Sequence, residues 1–473
     1  MLPRGVLPMI MQSESKDKTM ATERINENKM GVMPVGKLLA SMAIPMMISM
    51  LVQALYNVVD SVYVSRLGED AFNAVSLAFP LQNLMIAVAG GTTVGMNALL
   101  SRYLGAKRQD DANRVAGTGI FLSICSAVVF SLIGIFCARI FFSVQTDVKD
   151  IVDAGTDYVT ICLGCSAGIF LQFCFERLLQ STGRTTISMI SQIIGAVINI
   201  VLDPILIFGK LGFPEMGVAG AAVATVTGQI VAAIVALVFN IILNRDISIK
   251  AKNIRPFKDT AGGIYKIGFP SIIMMSIGSV MTFCMNQILL TFNTTATAVF
   301  GAYFKLQSFI FMPIFGLNNG MVPIISYNFG AKYADRVHRT IKLTIISAVS
   351  IMFVGFALFE LVPGPLLSIF DASDDMLDMG KTALRIIGTH YLLAGFCIIS
   401  GSVCQAIGNP THSLIVSVCR QLFVILPVAW LLSLTGNVDL VWLSFPAAEL
   451  VSLILSTIFL KKTLRRADRV MAE

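Results

Sequence analysis

Two aspartates stand inside long apolar runs, Asp60 in "LYNVVDSVYVSRLG" and Asp203 in "NIVLDPILIFGKLGFPEMGVAGAAVAT". At the centre of a membrane-crossing helix an aspartate costs about 2.5–3.5 kcal/mol, so one that is kept there is a candidate for function. Asn199 precedes Asp203 by four residues, which puts both on one helix face. Gln53, Asn57 and Asp60 follow an i, i+4, i+7 pattern and form a second polar stripe. Thr225 enters the next apolar run to a similar depth. Two carboxylates, an amide and a hydroxyl withdrawn from water at one level could exchange a proton or hold a sodium ion. Pro204 has no N–H, so the carbonyl of Ile200 loses its helical partner; a free carbonyl beside a carboxylate suits a cation, and the helix can bend there. The bland alternative is a buried pair that only hydrogen-bonds neighbouring helices, and spacing alone leaves both readings open.

The elements that must position these groups are membrane helices. The chain of 473 residues is 55% hydrophobic and 13% charged, where an ordinary soluble protein is about a quarter charged. Twelve apolar runs are long enough to cross about 30 Å of hydrocarbon, at roughly 38–65, 71–98, 115–142, 154–177, 185–208, 217–243, 263–290, 296–325, 341–364, 380–404, 411–434 and 438–460. They lack the alternation of barrel strands, so an all-α integral membrane protein is expected. The net charge of +7 is not spread as a nucleic-acid surface would be. It gathers in alternate loops, with Arg102, Lys107, Arg108 and Arg114, then Arg177 and Arg184, Arg245 to Lys266, Lys332 to Lys342, and the end "KKTLRRADR". By the positive-inside rule both termini are cytoplasmic, and the basic excess serves topology and contact with membrane lipids. Asp60 and Asp203 then both lie about six residues, roughly 9 Å, below the outer ends of the first and fifth helices.

Shifting the chain by 225 residues aligns Pro45 with Pro270, Gln82 with Gln307, Gly91 with Gly316, Gly95 with Gly320, and the two "GAK" loops at 105–107 and 330–332. The register holds without a net gap, as a duplication of domains would leave it. Six crossings per copy is an even number, so the two six-helix bundles are parallel repeats about an axis along the membrane normal, with a cavity between them as the natural substrate site. The expected division is a flexible cytoplasmic lead at 1–36, a first bundle at 37–243, a basic linker at 244–262, a second bundle at 263–460 and a basic cytoplasmic tail at 461–473. The acidic set belongs to the first copy alone, since Asp60, Asn199 and Asp203 fall on Met285, Val424 and Val428. Candidates for the substrate cavity are Gln53, Tyr56, Asn57 and Lys305, the last equally able to snorkel or to pair.

Other polar groups carry less. Glu176, Glu360, His390, Arg420 and Glu449 read as structural, near helix ends or with local partners. "CLGC" at 162–165 has redox or metal spacing but no partner ligands, and nine cysteines within or beside apolar runs read as buried thiols. Three histidines in unrelated places offer no catalytic set, so neither an enzyme, a metal site nor a cofactor is expected.

"LYNVVDSVYVSRLG", the "GAK" loop and above all the segment from Asn199 to Thr225 resemble the multidrug and toxic compound extrusion (MATE) transporters, closest to their MepA-like bacterial branch. The resemblance implies twelve helices in two pseudo-symmetric bundles, in a bacterial cytoplasmic membrane and with no partner subunit. It implies export of cationic amphipathic drugs or dyes in exchange for protons or sodium ions. Asp60 matches the family's helix 1 aspartate, and Asn199 and Asp203 its helix 5 pair. Thr225 matches the threonine of its "GAAxAT" motif, Gln53 a cavity glutamine and Pro45 a proline where helix 1 bends. Acidic residues that some branches carry in helices 7, 8 or 10 are missing here, which weighs against a cation site in the second bundle. The rival is a lipid-linked oligosaccharide flippase of the same superfamily, which would need a cavity rich in arginine. The opening residues show no feature built for folding, so the natural start is expected at Met20 or another internal Met. Mass spectrometry that finds Met1 on the native protein would refute it.

Overall fold

The computed structural model describes residues 28–370 and 373–473, so the expected internal start and most of the expected lead lie outside it. Ten helices are long and apolar enough to cross a membrane, and two pairs of shorter helices, bent by 41° and 48°, bring the number to twelve. In chain order they are α1 Val35–Ser65, α2 Glu69–Gly105, α3 Gln109–Ser143, the pair α4 Lys149–Gly164 with Ala167–Ser181, α5 Thr185–Ile207 and α6 Gly217–Ile242. The second half repeats the series with α7 Lys258–Leu290, α8 Thr294–Gly330, α9 Ala334–Leu361, the pair α10 Asp374–Gly388 with Tyr391–Ile407, α11 Pro410–Ser433 and α12 Val438–Ala472.

The two bends fall at equivalent places in the repeat, where hydrocarbon makes a broken ladder expensive unless side chains re-satisfy it. At the bend in α4 the hydroxyl of Ser131 from α3 donates to the carbonyl of Gly164 at 2.8 Å, and Ser166 ties the bend to α3 by donating to the carbonyl of Ala127 at 2.9 Å. In α10 the hydroxyl of Thr389 donates to Ile386 O at 2.7 Å. "CLGC" therefore lies at a bend rather than within a continuous helix. The bonds that prolines remove are replaced in part as well: Pro45 lies inside an unbroken α1, and the Ser41 carbonyl it frees accepts the Thr185 hydroxyl of α5 at 3.4 Å.

The two halves meet where α1 packs on α8 and α2 on α7. A Cβ on Gly95 would lie 2.1 Å from the carbonyl oxygen of Ile264, and one on Gly320 would lie 2.7 Å from Cα of Ala43. At the ends of the same helices, a Cβ on Gly105 would lie 1.9 Å from the oxygen of Tyr327, and one on Gly330 2.0 Å from that of Arg102. These are the repeat's own glycine pairs. Association within a bilayer relies on close packing of small residues, and here it draws the halves together at the end that carries the two "GAK" loops.

The described part of the lead expected to be flexible, the basic linker and the basic tail are all built into that end. Residues 28–36 enter through a short helix, Lys29–Val32, with Met30 buried. Asn28 donates to Thr182 O at 2.9 Å and to Asp246 Oδ1 at 3.0 Å in the first half, while Arg336 of the second half donates to the carbonyls of Met30 and Met33 at 2.9 and 2.8 Å. The linker folds onto α3, where Asn113 Oδ1 accepts from Ser248 N at 2.7 Å and the Asn253 backbone presses on Gly117. The expected basic tail is the last turns of α12, with Thr463, Ala467 and Met471 buried.

Overpacking a tight helix contact costs about 1–3 kcal/mol. Gly95→Ala and Gly320→Ala should therefore lower the thermal midpoint of the purified protein. Gly301→Ala, where a Cβ meets no atom within 4 Å, should not. Equal midpoints for all three variants would mean that these helices do not approach as described.

Candidate functional site

The fifth and sixth helices approach closely because glycine faces glycine: a Cβ on Gly195 would lie 2.9 Å from Gly228 O, and one on Gly228 2.7 Å from Gly195 O. One turn further along α5, Asn199 is thereby brought to α6, and its amide donates to the Thr225 hydroxyl at 3.2 Å. The same amide donates to Asp203 Oδ1, one turn on, at 3.4 Å. Asp203 is fully buried and Asn199 3% exposed. The first helix packs across this face of α5 and places Asp60, half-buried, within electrostatic reach of Asp203; both carboxylates also act on Tyr56.

Three oxygens in this group, Asp60 Oδ1, Asp203 Oδ2 and Asn199 Oδ1, are buried without a hydrogen-bond donor among the described residues. An unpaired buried acceptor costs about 1–3 kcal/mol, and three together form an electron-rich cluster of the kind that a proton, a hydrated cation or water satisfies. A pocket of about 70 Å³ adjoins it, lined by Gln53, Tyr56, Gln172, Gln192, Asn199 and Thr225 among others. That is room for several water-sized molecules.

The pocket shares Gln53, Gln192, Ile86 and Phe173 with a larger cavity of about 640 Å³ between the two halves. Along the shared wall Gln192 donates to Gln53 Oε1 at 3.1 Å, and Ser49 donates to Gln192 Oε1. Methionines 46, 50, 274, 275 and 312 supply much of the apolar lining. Their unbranched thioethers adapt to ligands of different shape.

Two expected cavity residues stand elsewhere. Asn57 is exposed and lines neither space. The inward stripe of α1 is Gln53, Tyr56 and Asp60, and at 100° per residue Asn57 projects about 40° past Gln53 on the side away from the other two. Lys305 is also exposed, with its ammonium 5.8 Å from the Phe370 ring, and it lines neither cavity. It belongs to an exposed stripe with Gly301 and Phe309, whereas the cavity face of α8 is carried by Met312, Phe315, Asn318 and Asn319.

Other charged groups enter in their place. Arg177, read from sequence as a loop residue, lies inside the second part of α4 and lines the cavity beside Glu176. Its guanidinium donates to Gln180 Oε1 at 2.9 Å and, across the interface, to Asn319 Oδ1 at 3.0 Å. Gln172 donates to Glu176 Oε1 at 3.0 Å. From the second half Arg420 reaches the cavity, paired with Glu449 at 3.3 Å. The adjacent "ER" in an otherwise apolar segment was the signal for the first pair; position near a helix end obscured it.

Among known proteins, "Multidrug export protein MepA" of Staphylococcus haemolyticus is 28% identical over 89% of this chain and 92% of its own length. "Probable multidrug resistance protein YoeA" of Bacillus subtilis is 27% identical over 87% and 90%, and an "FAD transporter" of Shewanella oneidensis is 25% identical over 88% and 92%. Two solved structures share the fold. One is described as the outward-facing conformation of a multidrug resistance MATE family transporter, with a TM-score of 0.88 at 24% identity over 94% of this chain and 99% of that one. The other is a transporter from Pyrococcus furiosus, described as having a binding pocket of reverse polarity, with a TM-score of 0.87 at 24% identity over 93% and 98%. The MatE family profile matches residues 45–205 and 270–431, one match in each half of the repeat, and the chain belongs to that family.

Proposed function

We propose that this protein is a multidrug efflux antiporter, which exports amphipathic, chiefly cationic compounds in exchange for inward movement of protons or sodium ions. The observation that carries this reading is the set of three buried oxygens without a donor among the described residues, on Asp60, Asn199 and Asp203, of which Asn199 lines a pocket that shares Gln53 and Gln192 with a cavity of drug size. Thr225 completes the ion site by holding the Asn199 amide. Tyr56 and Gln53 line its passage to the cavity. The exporters among its relatives, named above, support the direction of transport.

Coupling requires that the ion and the drug each distinguish the two conformations, since equal affinity for both shifts nothing. When a cation neutralises the carboxylates, the reason for α1 to hold its place against α5 changes, and Pro45 and Pro204 are the points where these helices lack a backbone hydrogen bond and can bend. Drug leaves on the outer side, and departure of the ion inward resets the cycle. The protein acts as a monomer in a bacterial cytoplasmic membrane, with both termini and the basic loops inside.

Asp203→Asn and Asp60→Asn keep the side-chain shape and remove the charge. Each should abolish dye efflux and drug resistance while the amount of folded protein in the membrane stays the same. Full resistance in either variant would remove that aspartate from the mechanism. Inverted vesicles loaded under separate proton and sodium gradients should accumulate ethidium under one of them and lose it when that gradient is collapsed; accumulation indifferent to both ions would end the antiport reading.

A further inference from the structure

The charged side chains lining the central cavity are Glu176, Arg177 and Arg420, two cations and one carboxylate. A pocket built solely for cations has no use for that balance. Arg177 is occupied, with hydrogen bonds to two neutral amides. Arg420 is not. Its one hydrogen bond among the described residues is from Nη1 to Glu449 Oε2, at 3.3 Å. A guanidinium has five N–H donors, so most of the fork remains for an occupant of the cavity.

The surroundings of Arg420 favour that use. The arginine side chain is 27% exposed while its carboxylate partner is 2% exposed, so the cation faces the cavity and the anion stands behind it. Glu449 pairs with the guanidinium at membrane depth, where an unpaired one would be costly. It meets the fork at a single oxygen and leaves a bidentate edge open. Arg420 lies in a π-helical stretch of α11, Cys419–Ile425, and such local widening of a helix recurs where a side chain is aimed at a ligand. Beside it, Ser417, Gln421 and the buried Ser452 add further polar groups to the same wall.

We infer that Arg420, backed by Glu449, is an anion-recognising subsite in the second-half wall of the cavity, taking the carboxylate or phosphate of an amphiphilic substrate. The inference rests on the reading of this cavity as a transport site, and it widens the substrate class from cations to zwitterions and amphiphilic anions. Planar, two-pronged donation to an oxyanion is what arginine offers and lysine does not.

The test is equilibrium binding to the full-length protein purified in detergent, which needs no ion gradient. The probes are norfloxacin, its ethyl ester with the carboxylate blocked, ethidium, and flavin adenine dinucleotide as the phosphate source. The wild-type protein should prefer norfloxacin to its ester. Arg420→Gln should weaken norfloxacin binding roughly tenfold or more, and leave the ester and ethidium within about twofold, the loss of a charge-assisted hydrogen bond. Because that change strands a buried Glu449, the double variant Arg420→Gln with Glu449→Gln should repeat the selective loss with the pair removed together. Loss confined to norfloxacin names a carboxylate as the ligand group, loss confined to the dinucleotide names a phosphate, and loss of both admits either. No preference of the wild type for norfloxacin over its ester together with dinucleotide binding unchanged in Arg420→Gln, or equal weakening of ethidium in both variants, would overturn the subsite. Failure of the efflux reading would show separately, as ethidium that binds but is never moved.

Discussion

The structure depends on how closely four helices are allowed to approach. Glycines at 91, 95 and 105 on α2 and at 316, 320 and 330 on α8 let one half's backbone press on the other's with no side chain between them. In lipid there is little hydrophobic gain in joining two apolar surfaces, so contact of this kind holds the bundles together. It acts at one end only. Toward the other end the lining turns to methionine, phenylalanine and glutamine, and the cavity opens between the same helices. The entry strap at 28–33 reinforces the joined end, since it is hydrogen-bonded to Thr182 and Asp246 in one half and to Arg336 and Asn328 in the other. Any motion that exposed the cavity at that end would have to part the glycine contacts and release the strap together.

Much of this was legible in the sequence because the membrane constrains the chain so tightly. Apolar run length fixed the twelve spans, and the 225-residue register identified the pairs that the structure uses, with Gly95 and Gly320 as equivalents. The Asn199–Asp203 spacing and the depth of Thr225 anticipated hydrogen bonds that are present at 3.4 and 3.2 Å. What remained hidden was helix rotation. A period of 3.6 puts Gln53, Tyr56, Asn57 and Asp60 within one broad stripe, and only packing against α5 decides that Tyr56 turns in and Asn57 out. The choice for Lys305 between cavity and snorkelling stayed open for the same reason: depth in the membrane was readable, and facing was not. Glu176 and Arg177 were passed over because a break in α4 moved the apparent end of the helix, and nothing in local composition announces a break met by a serine of the neighbouring helix.

Sequence distance also hides how the polar groups are shared out. The scaffold is symmetric, but its chemistry is not. Buried carboxylate oxygens without a hydrogen-bond donor among the described residues occur in both halves, but Glu449 of the second half has Arg420 at 3.3 Å from its other oxygen, whereas Asp60 and Asp203 have no ion pair among the described residues. These arrangements respond differently to a small cation. A carboxylate with no cationic partner gains from one, while Glu449 already has its positive charge alongside and gains little. Two identical ion sites would respond to one gradient together and leave the halves equivalent. On the proposed antiport reading, neutralising an acid cluster confined to one half would change the forces on α1 and α5 and not those on α7 and α11, and so would move the bundles relative to each other. Duplication supplied two matching walls, and divergence left carboxylates without an ion-pair partner among the described residues in one and an arginine–glutamate pair in the other.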